Sequence, residues 1–462
     1  MTPKKPFKHQ LASLKHGSKT PIVFDTSDAG TGKTAVRIWA YLSRRIGKML
    51  VLCTRSNMRT VWEADVKKFA PHLITSVAFA KNREVAFAKK ADIYIVNHDG
   101  AKWLAKQKPA FFKDFTELVI DESSAYKHHT AQRSRAALKI AQHFKYRTCM
   151  TATPNSNTIV DVWHQALLLD GGKRLGKLFY PFRQTVAEPK QVGRSLHAVE
   201  WTDRDGAEEA VFGLLSDIVI RHELDSCADL PSIHQYPLSY ELPAKQLKAY
   251  VELEAASLLR LQRDGSSPIT AINAAAVATK LLQVASGAVY SSADRYHVVD
   301  HSRYDLVLDL VEERRHPLVL FLWKHQRDLL VAEAERRSLK FDVFDGDTSD
   351  KERLRIVQTY QAGLLDVLFA HPKSIGHGVT LTRGTSTIWA SPTYDLELFV
   401  QASSRQRRIG QTHKTETVIV LAQNTLDERV YKLMLTKNSK MTNLLDLFSS
   451  ITPAPKRKKV AA

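Results

Sequence analysis

The stretch Ile22-Val23-Phe24-Asp25-Thr26-Ser27-Asp28-Ala29-Gly30-Thr31-Gly32-Lys33-Thr34 decides how this chain is read. The apolar run Ile22–Phe24 predicts a short buried strand, and a helix is expected to start near Ala35. Between them, small residues allow backbone N–H groups to curl around a phosphate, with Gly30, Thr31 and Gly32 at the centre of the curl. The following helix presents its N-terminus to that negative charge. Lys33 can then reach β- and γ-phosphates, and the Thr34 hydroxyl can ligate magnesium. Ser27 stands where the strict pattern has its first glycine.

Outward from this loop, short apolar runs flanked by helix-compatible sequence recur at Met49–Cys53, Ile93–Val96, Leu118–Ile120 and Thr148–Met150. A second series follows at Leu318–Phe321, Phe341–Phe344, Val367–Phe369, Thr387–Trp389 and Val418–Leu421. Buried parallel strands joined by crossover helices look like this. The fold class is therefore α/β, with two doubly wound parallel-sheet lobes. The middle, about 160–300, is expected to lack such strands and to be helical. Leu247, Tyr250, Val251, Leu258 and Leu261 fall near helical spacing and predict one apolar stripe, and Ala271–Leu282 is rich in alanine. The divisions expected are 1–165 for the first lobe, 166–300 for helical insertions and linker, 301–440 for the second lobe and 441–462 for a basic tail.

The Leu118–Ile120 run ends in Asp121-Glu122. A carboxylate there, Asp121, can hold magnesium, and Glu122 can orient or deprotonate a water attacking the γ-phosphate. A kinase, a GTPase or a motor could use these parts. The segment Gln401-Ala402-Ser403-Ser404-Arg405-Gln406-Arg407-Arg408-Ile409-Gly410-Gln411 discriminates. It sets Arg405 and Arg408 three apart, on one face if the segment is helical, where both can neutralise charge developing on the γ-phosphate. Neither a kinase nor a GTPase needs that segment.

Bulk properties narrow the class. Lysine and arginine total 67 against 48 acids, a formal net charge of +19, which favours a polyanionic partner. Cys53, Cys149 and Cys227 show no short pairing, which argues against a disulfide scaffold or a zinc module. The adjacent His128 and His129 lack carboxylate or cysteine company for a metal. No stretch approaches a membrane span and the N-terminus has no secretory pattern, so an intracellular location is expected, cytoplasm or nucleoid, or the nucleus in a eukaryote.

Taken in order, these pieces resemble the SWI/SNF-like ATPases of helicase superfamily two, from about Phe7 to Leu435. Phe7-Lys8-His9-Gln10 is similar to the family's adenine-reading segment, which implies that Gln10 bonds the base. Val51–Thr54 with Trp62-Glu63 and Phe69–Pro71, then Val96–Asp99, match further motifs. Thr151-Ala152-Thr153-Pro154-Asn155, followed by Asp161-Val162-Trp163, resembles the coupling motif, whose threonines Thr151 and Thr153 bridge nucleotide site and DNA track. Ile220-Arg221-His222 with Asp229–Pro231, and Lys280–Gln283 with Ser286-Gly287, resemble blocks between the lobes. Asp345–Ser349 with Arg353, and Ser374–Thr382, resemble segments at the tracking strand and the cleft; Gly376, Gly378 and Gln401 are thereby implied at the nucleotide. Asn424–Glu428 resembles the closing helix. The form Gly376-His377-Gly378 and the lack of large insertions resemble compact annealing-helicase and phage-type members.

This chain departs from the family at three positions: Ser124 replaces a usual histidine, Thr54 a usual proline and Thr380 a usual asparagine. None removes a catalytic charge. The resemblance implies RecA-like lobes, ATP and Mg2+ as cofactors, and sequence-independent binding to DNA, duplex preferred. The function expected is a DNA-dependent ATPase that moves along double-stranded DNA and remodels DNA or protein–DNA structures. The alternatives are a strand-separating helicase in replication or repair, and a nucleic-acid-binding scaffold with a silent ATPase.

Overall fold

A computed structural model describes residues 5–155, 158–191, 199–227, 231–264, 268–292, 295–375, 379–408 and 410–435. The first sheet is built from β1 (Ile22–Asp25), β2 (Lys48–Cys53), β3 (Thr75–Ala78), β4 (Ile93–Asn97), β5 (Phe115–Asp121) and β6 (Tyr146–Met150). A hairpin of β7 (Ala187–Gln191) and β8 (Val199–Asp203) stands apart from it, and β9 (Val219–Ile220) returns to its edge. The spatial order β3-β4-β2-β5-β6-β1-β9 is parallel throughout. All four side chains of β1 are buried, as a strand covered on both faces requires.

The second sheet opens with β10 (Ile233–Tyr240), which precedes a small hairpin of β11 (Ala288–Ser292) and β12 (Arg295–Val298). It continues with β13 (Leu318–Leu320), β14 (Phe341–Phe344), β15 (Val367–Ala370), β16 (Ser386–Trp389) and β17 (Thr415–Ala422). Its order, β10-β17-β16-β13-β15-β14, is again all parallel. Both sheets are thus doubly wound α/β, as the two series of apolar runs require, because crossover helices cover both faces of each.

Three expectations about the elements need correction. The middle of the chain does contain strands, and two of them belong to the main sheets: β9 pairs with β1 and β10 with β17. They leave no apolar run because β9 has two residues and β10 is an edge strand whose side chains alternate between exposed and half-buried. Pro237 sits within β10, and an edge strand tolerates it. The apolar stripe of the middle is also turned. In the helix Ala244–Asp264 the buried positions among the described side chains are Gln246, Tyr250 and Ser257, whereas Leu247 and Val251 are exposed. Gln246 donates to Val284 O at 2.7 Å and to Ala285 O at 3.1 Å, so a polar side chain fixes that face. The side chains of Leu258 and Leu261 lie outside the described residues. Finally, the helix Leu396–Ser403 ends before Arg405, so the two arginines occupy the turns that follow it.

Helix Pro268–Ala285 spans the alanine-rich segment, with proline in its first turn. Trp163 and Trp389 are packing residues: both are buried, with indole N–H groups donated to Gly176 O and Ser403 Oγ. Among the described residues no helix is long and apolar enough to cross a membrane.

Candidate nucleotide site between the two sheets

The phosphate loop leaves β1 and enters the helix Lys33–Arg44, two residues earlier than expected. Gly30 has φ +91° and Gly32 φ +82°, conformations that side-chain-bearing residues rarely adopt. A Cβ on Gly32 would also push against Gln10 Nε2 and shift that side chain from its bond to the loop. Ser27 has a structural use in place of the glycine: its Oγ accepts the His222 N–H at 3.1 Å. Asp28 accepts the Leu224 N–H at 3.0 Å, and Arg221 donates to Thr26 O at 3.0 Å. The Ile220-Arg221-His222 block therefore braces the loop from behind. Asp229 and Leu230 lie outside the described residues.

Lys33 folds over the loop, donating Nζ to Ser27 O at 2.5 Å and to Asp28 O at 2.9 Å. Gln10 is buried; its Oε1 accepts the Phe7 N–H at 3.0 Å and its Nε2 donates to Thr31 O at 3.1 Å. The segment 7–10 is thereby clamped to the phosphate loop.

At the end of β5, Asp121 is buried, and both of its bonds land on Oδ2: from Trp62 Nε1 at 3.0 Å and from Asn57 Nδ2 at 3.2 Å. Burial first, and then the adjacent Glu122 carboxylate, raise Asp121 above the ordinary carboxylate range, while Trp62, Asn57 and Lys33 pull against them. Glu122 has φ +54°, an uncommon conformation that turns the chain sharply after the strand.

The second sheet contributes Thr380, Gln401, Arg405 and Arg408 to the same cleft, whose volume is about 310 Å³. Arg405 is buried and donates Nε to Gln401 O at 2.5 Å, and Arg408 donates Nη1 to Thr380 Oγ1 at 3.0 Å. Burial lowers Arg405 well below the usual guanidinium range, with Arg408 adding to the fall. Burial also brings Arg408 down to about 10, opposed by Asp65 and Glu122. The lobes already touch here, since a Cβ on Gly30 would meet Arg408 Cγ at 3.3 Å. A second link runs from Ser124 Oγ to Glu397 Oε1 at 3.4 Å; that oxygen also accepts from Gln401 Nε2 at 3.1 Å.

Structure thus brings Gln10, Gly30, Gly32, Lys33, Thr34, Asp121, Glu122, Gln401, Arg405 and Arg408 to one cleft. Thr31 closes the loop through Oγ1 to Asp28 O at 2.9 Å. Thr151 and Thr153 flank Ala152, which lines the cleft, and Thr151 Oγ1 accepts the Thr153 N–H at 3.2 Å. Gly376 and Gly378 lie outside the described residues. Sequence reasoning missed Asn57, Asp65 and Glu397. Asn57 and Asp65 flank the motif around Trp62, and Glu397 opens the helix that carries Gln401, but nothing local signals their aim. Thr34 and Asp121 together offer oxygen donors alone, the set a hard cation such as Mg2+ takes.

A further cleft of about 390 Å³ runs between the sheets, lined by Thr54, Arg55, Ser56, Gly346–Ser349, Arg353, Lys373 and Ser374. Arg353 shapes it by donating to Thr348 O at 2.9 Å, Asp345 O at 2.8 Å and Ser374 O at 3.3 Å.

Comparison with known proteins gives two family matches: the SNF2-related domain over residues 10–285 and the helicase conserved C-terminal domain over 302–410. The chain is 29% identical to putative protein p41 of Acyrthosiphon pisum secondary endosymbiont phage 1, covering 89% of this chain and 91% of that one. It is 24% identical to the Bos taurus protein named DNA annealing helicase and endonuclease ZRANB3, over 90% of this chain but 38% of the relative. A Sulfolobus solfataricus SWI2/SNF2 ATPase core solved with double-stranded DNA aligns over 97% of this chain and 93% of that one, at 20% identity and a TM-score of 0.43.

Proposed function

The chain belongs to the SNF2-related family, and from that premise we propose that it is an ATP-driven translocase on duplex DNA that remodels DNA or protein–DNA structures. It is a helicase-type ATP-hydrolysing enzyme, and hydrolysis drives its movement along DNA. One observation carries the proposal. Arg405 and Arg408, in the second lobe, face Lys33, Asp121 and Glu122, in the first, across a single cleft.

Water attacks the γ-phosphate and the bond to the β-phosphate breaks. Glu122 orients that water and takes its proton, and Lys33 exchanges the carbonyls of Ser27 and Asp28 for phosphate oxygens. Arg405 and Arg408 neutralise the charge that spreads over the transferred group. Gln10 and Phe7 face the base. The Thr34 hydroxyl and the Asp121 carboxylate would hold magnesium, whose charge would offset that of the phosphate oxygens. Because the acids and the arginines sit on separate lobes, opening the cleft dismantles the site and closing it rebuilds it. The basic second cleft spans the same boundary, and a phosphate backbone lying there would be gripped and released in step. A DNA track is favoured by the net charge of +19 and by the likeness to a DNA annealing helicase.

The test is ATP hydrolysis measured side by side with duplex, single-stranded and forked DNA and with RNA. Duplex DNA is expected to stimulate most. Lys33→Ala and Glu122→Gln should abolish turnover, and Arg405→Ala or Arg408→Ala should lower kcat by about 10³-fold, as for arginine fingers. Stimulation by RNA and not by duplex DNA would refute the proposal. Strand displacement on the fork would shift the reading to an unwinding helicase.

A further inference from the structure

Ser123, between the catalytic acid and Ser124, points away from the cleft into the first lobe. It is fully buried, and its Oγ donates to Gln165 Oε1 at 2.7 Å. Gln165 is fully buried as well, and its Nε2 donates both hydrogens, to Pro154 O at 2.7 Å and to Asp161 O at 3.0 Å. Every polar atom of this amide is used. Its neighbours on the helix Val162–Asp170 are largely apolar, with Val162, Trp163, Ala166, Leu167, Leu168 and Leu169 all packed in the core. An aliphatic side chain at 165 would fill that space without the cost of desolvating an amide. The polar pair therefore calls for a reason other than packing.

The chain of bonds supplies one. Glu122 is covalently joined to Ser123, which holds Gln165, which holds the carbonyl of Pro154 at the end of the Thr151–Pro154 loop. The same amide ties down Asp161 O, at the start of its own helix. A shift of the Glu122 backbone on engaging nucleotide would be carried to that loop through two short, buried hydrogen bonds, and burial makes such bonds strong. The direct partner of Ser124 lies elsewhere, across the cleft at Glu397, so Ser124 does not serve this connection.

We propose that Gln165, through Ser123, is the positioning residue that couples the acid end of β5 to the loop bearing Thr151 and Thr153. The proposal rests on the reading of Glu122 as the group acting on water, and it is separable from duplex-driven movement. Spatial adjacency alone does not establish coupling, so the test measures coupling directly.

The full chain, Ser123→Ala and Gln165→Leu are compared by hydrogen exchange, with and without the magnesium complex of a non-hydrolysable ATP analogue. In the unmodified chain the analogue should slow exchange both at 28–34 and at 151–154. In each variant the protection at 28–34 should persist while that at 151–154 is lost. Basal ATP hydrolysis and KM for ATP should stay within about twofold, whereas any DNA-stimulated rate should fall by about fivefold or more, the low end of coupling between sites. Ser123→Ala removes a single oxygen and decides the matter alone if Gln165→Leu does not fold. Equal protection at 151–154 in variant and unmodified chain, or none in the unmodified chain, would overturn the proposal. Failure of duplex DNA to stimulate the unmodified chain would instead count against the translocase and leave the exchange result to judge the coupling.

Discussion

Asp65 shows how a single side chain can tune a site from its rim. Burial raises its carboxyl to about 6, against the pull of Lys68 and Arg408 and with a push from Asp121. An aspartate shifted upward favours its protonated form in the folded chain. Its contribution to stability is therefore complete below its ordinary value of 3.8 and lost as pH rises through about 6. Asp65→Asn should flatten the stability–pH curve in that window, as measured by urea unfolding at a series of pH values. Parallel curves for the two proteins would show that Asp65 is not the source. Above pH 6 the ionised Asp65 also supports the charged form of Arg408, on which it acts more than Glu122 does.

Among the elements, one buried arginine ties the second sheet to three helices beside its apolar packing. Arg303, on the helix Ser302–Glu312, donates to Ala390 O and Ser391 Oγ at 2.8 Å and to Ala285 O at 2.9 Å. It also donates to Tyr240 Oη at 3.0 Å and pairs with Asp427 at 2.5 Å, with both charged side chains buried. It thus joins β10, the end of β16 and three helices. Arg303→Leu would leave Asp427 charged and without its partner in the core, at a cost of about 3–5 kcal/mol. Adding Asp427→Leu should recover part of that loss in urea unfolding. If the single variant unfolds at the same denaturant concentration as the unmodified chain, Arg303 is not the clamp described here.

At the scale of the molecule, two lobes share the candidate nucleotide cleft and a basic cleft along one boundary. If the proposed DNA track is correct, binding is to phosphates and counterion release governs it. Raising salt from about 50 to 200 mM should weaken duplex binding by about a hundredfold or more, equally for unrelated sequences. Fluorescence anisotropy with two duplexes of different sequence measures this. Affinity that ignores salt, or that differs sharply between the two sequences, would argue against a backbone grip.

The amino-acid sequence by itself determined the phosphate loop, the acid-tipped strand, the ten apolar strands and the family. These are written in neighbouring residues: a glycine turn, a period of two or of 3.6, an apolar run. Tertiary structure alone decided what lies opposite what. Ser124 and Glu397 are 273 positions apart, and Arg303 and Asp427 are 124 apart. No local pattern records such pairs, because they form only when separate elements pack. The same holds for β9 and β10, whose short or exposed sequences become strands only because β1 and β17 offer unpaired edges, and for Gln165, a polar residue whose partners exist only in the folded core.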